Sequence, residues 1–557
     1  MLVGLLISAL SSFTAIHPAS SSELSCHRHA VTEFHRFIHL SPLRRRPLRS
    51  TREATDDVLH PARNTAFLAR PRIHQVASHL LPSSRRARRR QSSTREQRKA
   101  CLCRNTRRDP AACEDGQDRR RLTRTSASKG GSAAVAEPPA VPREATGGKK
   151  DVKRVLIVMS DTGGGHKASA LALKDALWEN YNDNVDVRIV DIWTDYGVFP
   201  FNTFVPSYRF MSTYPITWKL FYEWTKWPST IMGGEVVGHA LCGSRFRQLI
   251  ESYNPDLIVS VHPLCQHVML RVLQDIRQMR NRNIPFVTVV TDLGGAHPSW
   301  FHPGVDLCFV PSQPVREIAL QEGIKPDQMR QYGLPIRRGF WQQEKRPKGE
   351  IRDKLGLTKG VPTCLVVGGG EGVGGLDKVV DALVACLGTK PFDSEVVAIC
   401  GKNGALRRRL ERKYCDDAAN ANNGYPRMRP RNVSVKPHGF VTNMEDFMAA
   451  ADCIVTKAGP GTIAESAIRG LPIMLSSYLP GQEEPNVPYV IDRGFGDYSS
   501  VPSQIARRVA SWLEDPKKLQ DMSGKAVASS RPSATIDIAT ELGEILALNK
   551  RERKRQS

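Results

Sequence analysis

No apolar run in this 557-residue chain reaches the roughly 18–20 residues that cross a bilayer as a helix. The longest candidate, Met1–Ile16, is broken by serines and stops at His17, so it resembles a signal-peptide core more than a span. Cysteine is sparse: there are twelve, and the eight beyond residue 150 form no C-x-x-C pair. That pattern excludes a disulfide scaffold and fits buried thiols in a reducing compartment. Cys101, Cys103 and Cys113 have a spacing that suits no zinc site well. Acidic residues are scarce only at the start. Residues 1–150 hold 12 Asp and Glu against 29 Lys and Arg, whereas the remainder holds 44 against 51. The net charge of +24 therefore belongs mostly to the leader. A mildly basic body suits anionic substrates or an anionic membrane face, and it does not require nucleic acid.

The leader is rich in Arg, Ser, Pro and Ala, with Arg clusters at 44–46, 85–90 and 119–121. It has no sustained periodicity and reads as disordered over 1–150. Such a stretch reads as a plastid or mitochondrial transit peptide. A two-part leader for a plastid that is reached through the secretory route, and a mis-assigned translation start, are the alternatives.

Order begins near Val152. Arg154–Ser160 has the length and branching of a buried strand, Gly163–Gly165 follow, and His166–Tyr181 reads as a helix. Strands at Asp186–Ile192, Leu257–His262, Phe286–Thr291 and Leu307–Pro311 continue the pattern. A second cycle starts after the charged stretch 342–350 with a strand at Thr363–Val367 and glycines at 368–375. Further strands are expected at Glu395–Cys400, Val433–Val435, Asp452–Thr456 and Pro472–Ser476. The expected fold is α/β, with two Rossmann-like domains, 151–338 and 339–557, facing a cleft (GT-B type). Ligands in such sheets bind beyond the carboxyl ends of the strands.

Four motifs carry chemistry. In Lys457-Ala458-Gly459-Pro460-Gly461-Thr462-Ile463-Ala464-Glu465 a strand runs through glycines into a helix expected to open at Thr462. A helix start with unpaired N–H groups suits a pyrophosphate. Glu465, expected about one turn in, can accept from two ribose hydroxyls or simply complement the helix dipole. Arg337, in the Tyr332–Arg337 segment between the domains, can reach a diphosphate or be an ordinary surface residue. The turn containing Gly370 could also cradle a phosphate. His166 follows Gly164 and Gly165 at the first helix start. With an ordinary pKa near ~6.5 it suits a general base, or it hydrogen-bonds the substrate without taking its proton. No Asp-x-Asp pair occurs, so Arg337 and the helix end, rather than a metal, are expected to stabilise a departing diphosphate.

Residues 193–227 hold 13 of the chain's 38 aromatics, with Arg209, Lys219 and Lys226 interleaved. Trp and Tyr favour the membrane–water boundary. Trp193, Pro200, Phe201, Trp218, Trp224 and Trp227 are therefore expected at a lipid surface. The crowded prolines and polar residues at 194–217 argue against the alternative, an aromatic core helix.

MSDTGGGH (159–166), SVHPLCQHV (260–268), VTDLGGAHPSWFHPGVD (290–306), GLPIR (333–337), HGFVTNM (438–444), KAGPGTIAE (457–465) and SSYLPGQEEPNVPYV (476–490) together resemble the monogalactosyldiacylglycerol synthase family. They are similar, more distantly, to the bacterial enzyme that adds N-acetylglucosamine to the peptidoglycan lipid precursor. The resemblance covers roughly residues 152–545. It implies a metal-free, inverting transfer of galactose from UDP-galactose to diacylglycerol. It also implies peripheral association with a plastid envelope membrane, a response to anionic lipids and no further cofactor. His166 is then the general base. Phe440 and Val441 hold the uracil, and Glu465 holds the ribose. Gly459, Pro460, Gly461, Thr462 and Arg337 meet the diphosphate. Gln482 and Glu483, with Asn486 beside them, meet the sugar. Gly164, Gly165, His262, Pro263 and Trp300-Phe301-His302 belong to the acceptor side. A homodimer counts among the candidate partners.

Two departures stand out. The family usually has small residues between Glu483 and Asn486, where this chain has Glu484 and Pro485. The run Gly294-Gly295-Ala296 is plainer than the family norm. A glucosyl or other lipid transferase, a nucleotide-sugar epimerase and a non-enzymatic lipid or nucleic-acid binder are the competing classes.

Overall fold

The computed structural model describes residues 152–342, 346–368, 375–415 and 430–556. The leader and Gly370 lie outside the described residues.

Six parallel strands form the first sheet: β1 (Lys153–Met159), β2 (Val185–Asp191), β3 (Leu257–Ser260), β4 (Phe286–Val289), β5 (Leu307–Val310) and β6 (Met329–Gln331). Their order is β2-β1-β3-β4-β5-β6. The second sheet holds β7 (Thr363–Val367), β8 (Ser394–Ile399), β9 (Val433–His438), β10 (Cys453–Lys457), β11 (Ile473–Ser477) and β12 (Gly496–Tyr498) in the order β12-β11-β10-β7-β8-β9. Helices α1 (Gly165–Tyr181), α2 (Phe204–Ser212), α3 (Pro215–Thr225), α4 (Pro228–Tyr253) and α5 (Gln266–Arg280) accompany the first sheet in sequence. Helices α6 (Leu376–Leu387), α7 (Pro460–Ile468), α8 (Asn486–Asp492), α9 (Pro502–Leu513) and α10 (Ala534–Gln556) follow.

β3, β4, β5 and β7 are buried along their whole length. Parallel sheets covered on both faces produce that pattern, which explains why their sequences are short unbroken apolar runs. Leu173, Ala176 and Leu177 of α1 share one core with Ile538, Ala539 and Leu542 of α10. The last helix thus crosses back to the first sheet. A Cβ at Gly543 would fall 1.9 Å from Tyr181 Oη, so only glycine permits that approach.

Each sheet changes winding direction once, between β1 and β3 and between β7 and β10. Ligand sites in open α/β sheets form outside the strand ends at such points. β1 leads into the turn before His166, and β10 leads into Gly459.

The aromatic segment corrects the expectation of a lipid-facing side chain for Trp193, Phe201 and Trp218, but not for Trp227. Trp193, Phe201 and Trp218 are buried. Trp193 stacks on Phe201 at 5.3 Å, meets Phe246 edge-on at 5.2 Å and donates its Nε1–H to the Leu264 carbonyl at 3.1 Å. Pro200 and Trp224 are half-buried, and Trp227 is exposed. Prolines here open helices instead of excluding a core: Pro215 and Pro228 stand at the starts of α3 and α4.

Candidate active site

After β1, Gly163 and Gly164 take φ of 90° and 77°, the left-handed region open to glycine. His166 follows as the second residue of α1. Its Nδ1 lies 2.9 Å from the Val261 carbonyl and 2.9 Å from Thr291 Oγ1. A carbonyl only accepts, so Nδ1 carries the proton and Nε2 the lone pair. Burial pushes this imidazole down to about 4, against the weaker raising effects of Val261 and Asp161. The ring is therefore neutral at physiological pH.

His262 sits edge-on to His166 with centroids 4.4 Å apart. Its Nδ1 accepts the Leu264 N–H at 3.2 Å, which leaves Nε2–H to donate to Thr162 Oγ1 at 2.8 Å. Burial also lowers this histidine well below its ordinary value. Trp300 is fully buried 5.9 Å from His166, and its Nε1–H donates to Asp292 Oδ2 at 2.7 Å. Burial raises Asp292 to about 7; the Trp300 bond opposes this and the nearby Glu483 reinforces it. Glu483 belongs to the second domain, so this electrostatic effect acts between the two domains.

On the second side, α7 begins at Pro460 with Gly459 as its N-cap. Thr462 is the third helical residue and Glu465 the sixth, so the helix opens two residues earlier than expected and Glu465 stands about half a turn deeper. It is buried, and its Oε1 accepts from Arg337 Nε at 2.9 Å and Nη2 at 2.6 Å. Burial raises its pKa, and Arg337 works against that. The loop between β11 and α8 holds Glu483, whose Oε2 accepts the Leu479 N–H at 2.9 Å and whose Oε1 meets Lys457 Nζ. Gln482 Oε1 is buried with no hydrogen-bond partner. An orphaned acceptor in a polar loop calls for a donor such as a sugar hydroxyl.

Residues 166–336 match the family described as monogalactosyldiacylglycerol (MGDG) synthase, and residues 363–535 match the glycosyltransferase family 28 C-terminal domain. The chloroplastic monogalactosyldiacylglycerol synthase of Spinacia oleracea is 41% identical over 404 residues, 71% of this chain and 73% of its own. Monogalactosyldiacylglycerol synthase 1 of Arabidopsis thaliana is 39% identical over 398 residues, 71% of each. This chain belongs to the monogalactosyldiacylglycerol synthase family. It is a glycosyltransferase of GT-B architecture. The crystal structure of Acinetobacter baumannii MurG is 14% identical, with a TM-score of 0.46, and covers 70% of this chain and 99% of that one.

Within this family frame, the structure alters several residue expectations. Arg337 and Glu465, expected on different parts of the donor, are bonded to each other. Phe440 is exposed on the loop after β9, while Val441 packs against the apolar cluster that includes Leu365, Ile399 and Phe447. Asn486, expected beside the sugar, is buried, and its amide is taken up by the protein. Its Oδ1 accepts the Gly294 N–H at 2.6 Å and its Nδ2 donates to the Ala458 carbonyl at 2.8 Å. Sequence reasoning missed Asp292, Thr291 and Lys457. All three lie at or just beyond the carboxyl end of a parallel strand, a signal that could have found them.

Among the described residues one trio, Glu235, His267 and His302, offers three potential metal-ligand atoms within 4.8 Å of one another. His302 Nδ1 accepts the Gly304 N–H at 3.0 Å, which assigns its proton to Nε2. Arg271 already lies 3.6 Å from Glu235. Both features disfavour a cation, and none of the trio is a donor-side residue.

Proposed function

We propose that this protein transfers galactose from UDP-galactose to the free hydroxyl of 1,2-diacylglycerol with inversion, making monogalactosyldiacylglycerol at the surface of a plastid envelope membrane. The observation that carries the reading is the state of His166. Its Nδ1–H is committed to Val261, its Nε2 keeps a lone pair, and burial holds the ring neutral. Nε2 takes the proton of the acceptor hydroxyl as that oxygen bonds to the anomeric carbon. The bond from that carbon to the diphosphate breaks on the opposite face, which inverts the configuration. UDP departs toward the start of α7, where free N–H groups and the helix dipole favour the new negative charge. Arg337 stands beside it. Glu465 is at hand to exchange part of its Arg337 contact for ribose hydroxyls. The unpartnered Gln482 Oε1, with Glu483 next to it, suits the sugar hydroxyls.

The acceptor is a lipid, and no helix among the described residues is long and apolar enough to cross a membrane. Surface docking is supported by Trp227, which the sequence pointed to, together with exposed residues of the same segment that it did not. Ile216, Leu220, Phe210 and Trp227 are 77%, 69%, 67% and 65% exposed. Exposed apolar residues clustered on two consecutive short helices and their flanks mark a contact surface. Arg209 is exposed beside them, while Lys226 pairs with Glu223 at 2.8 Å. The chloroplastic relatives make a plastid the proposed compartment.

The test uses the full chain with radiolabelled UDP-galactose or UDP-glucose, diacylglycerol in anionic liposomes, and a chelator. Label should enter lipid from UDP-galactose and persist under chelation. Label entering lipid from UDP-glucose alone would replace galactose in the reading, and loss under chelation would overturn the metal-free mechanism.

A further inference from the structure

The loop 478–485 belongs to the second domain, yet first-domain groups grip it from two sides. Gly481 has φ of 82°, and a Cβ added there would meet the Tyr222 ring at 2.7 Å. Tyr222 is buried on α3, with the His297 ring edge-on at 4.9 Å and Lys226 Nζ 4.8 Å from its centroid. Three residues earlier on α3, Lys219 Nζ lies 3.7 Å from Glu484 Oε2. The same oxygen accepts the Gly481 N–H at 3.1 Å. On the other side, Pro485 lies against Gly294 and Gly295. The loop's two adjacent carboxylates thus point to opposite partners. Glu483 turns inward to Lys457 and the Leu479 N–H, and Glu484 turns outward to α3.

We propose that Lys219 and Tyr222 are positioning residues that hold the sugar-binding loop through Glu484 and Gly481, so that α3 helps set the affinity for the sugar nucleotide. The inference rests on the reading of Gln482 and Glu483 as sugar contacts. A half-exposed ion pair at this distance attracts weakly, so neutralising one partner would be mild. Reversing one charge replaces attraction with repulsion and is the stronger probe. The same helix carries Ile216 and Leu220 on its exposed side, so the docking surface and the loop clamp share one rigid element.

Lys219→Glu and Glu484→Lys should each raise the KM for UDP-galactose about fivefold, with kcat and the diacylglycerol KM within about twofold of wild type. The combined variant should return the UDP-galactose KM close to wild type. Amide hydrogen exchange across 478–486 should quicken in each single variant and slow again in the pair. Gly481→Ala should shift both readouts the same way. A lipid-docking role alone would move the diacylglycerol KM instead, and that result would overturn the proposal. So would single variants with unchanged KM and exchange, or a double variant no better than the singles. Exchange needs no turnover. If wild type used another sugar or lipid, rescued exchange in the pair would still support the clamp while the proposed reaction fell.

Discussion

Take the pH dependence of the rate at low substrate. A solvent-exposed imidazole with a pKa near ~6.5 would be only about 9% neutral at pH 5.5. With His166 at about 4, the neutral base is about 97% of the total at that pH. Relative to pH 7.5, kcat/KM at pH 5.5 should therefore fall by only a few per cent on account of His166, against roughly tenfold for an unperturbed base. Both phosphates of a sugar nucleotide are fully ionised across this range and the lipid hydroxyl does not titrate, so an acid limb would belong to the enzyme. Folding has its own dependence. A histidine depressed in the folded state lends stability that is complete above its unfolded pKa and is lost as pH falls from ~6.5 toward 4. His297, lowered to about 4, acts in the same direction. The assay is initial rate against pH from 5 to 8 in diacylglycerol vesicles, with tryptophan fluorescence confirming that the protein stays folded at each point. Asp292, raised to about 7, titrates in the same window, so the profile is repeated in Asp292→Asn; an acid limb of unit slope centred near ~6.5 that persists in that folded variant would refute the assignment of His166 as a buried, neutral base.

Three further outcomes are expected. His166→Ala should abolish transfer while UDP still binds in calorimetry; an equal loss of binding would make His166 a ligand contact instead of a base. Asp292→Asn keeps an acceptor for Trp300 Nε1–H and removes a carboxyl raised to about 7. Such a group lends stability at low pH that is lost as pH rises through about 7, so the variant should gain stability over wild type at pH 8 more than at pH 5; parallel denaturation curves at both pH values would contradict this. Ile216→Asp with Leu220→Asp removes two exposed apolar side chains that would each contribute about 1.5–3 kcal/mol on full burial in lipid. Vesicle flotation should fall by at least tenfold while UDP binding is unchanged, and intact flotation would move the docking surface elsewhere.

The strands were legible where they are central and buried, because an unbroken β-branched run has few other uses. β6 and β12 were not, since each is three residues long at a sheet edge, and Met-Arg-Gln and Gly-Asp-Tyr carry no apolar signature. The glycine turn before His166 was legible because the left-handed backbone of Gly163 and Gly164 fixes its use, whereas Gly459 has ordinary extended backbone and was legible as the junction between a strand and a helix. Burial within an amphipathic stretch was not. Trp193 and Ile216 are both apolar residues in one segment, and only packing against Phe246 and Leu264 separates the core residue from the surface one. Pairings across the cleft were also invisible: Arg337 with Glu465 spans 128 positions, and nothing local signals it.

The two departures from the family pattern illustrate that last point. Gly294-Gly295 and Glu484-Pro485 are almost two hundred residues apart and read separately as unrelated oddities. In the fold they touch. A Cβ at Gly294 would fall 2.1 Å from the Pro485 carbonyl oxygen, and one at Gly295 would lie 3.0 Å from the Pro485 ring. Larger residues at 294 and 295 would push the donor loop off the first domain and break the Gly294 N–H bond to Asn486. The plain glycines are thus the complement of a proline-stiffened loop, and each departure supplies the physical reason for the other. It follows that Gly295→Ala alone should loosen the loop, and that adding Pro485→Ala should relieve part of the effect by removing the ring atom Cγ. Gly294→Ala should not be rescued that way, because its clash is with backbone. If Pro485→Ala rescued both variants equally, the contact would be soft and the complementarity argument would fail.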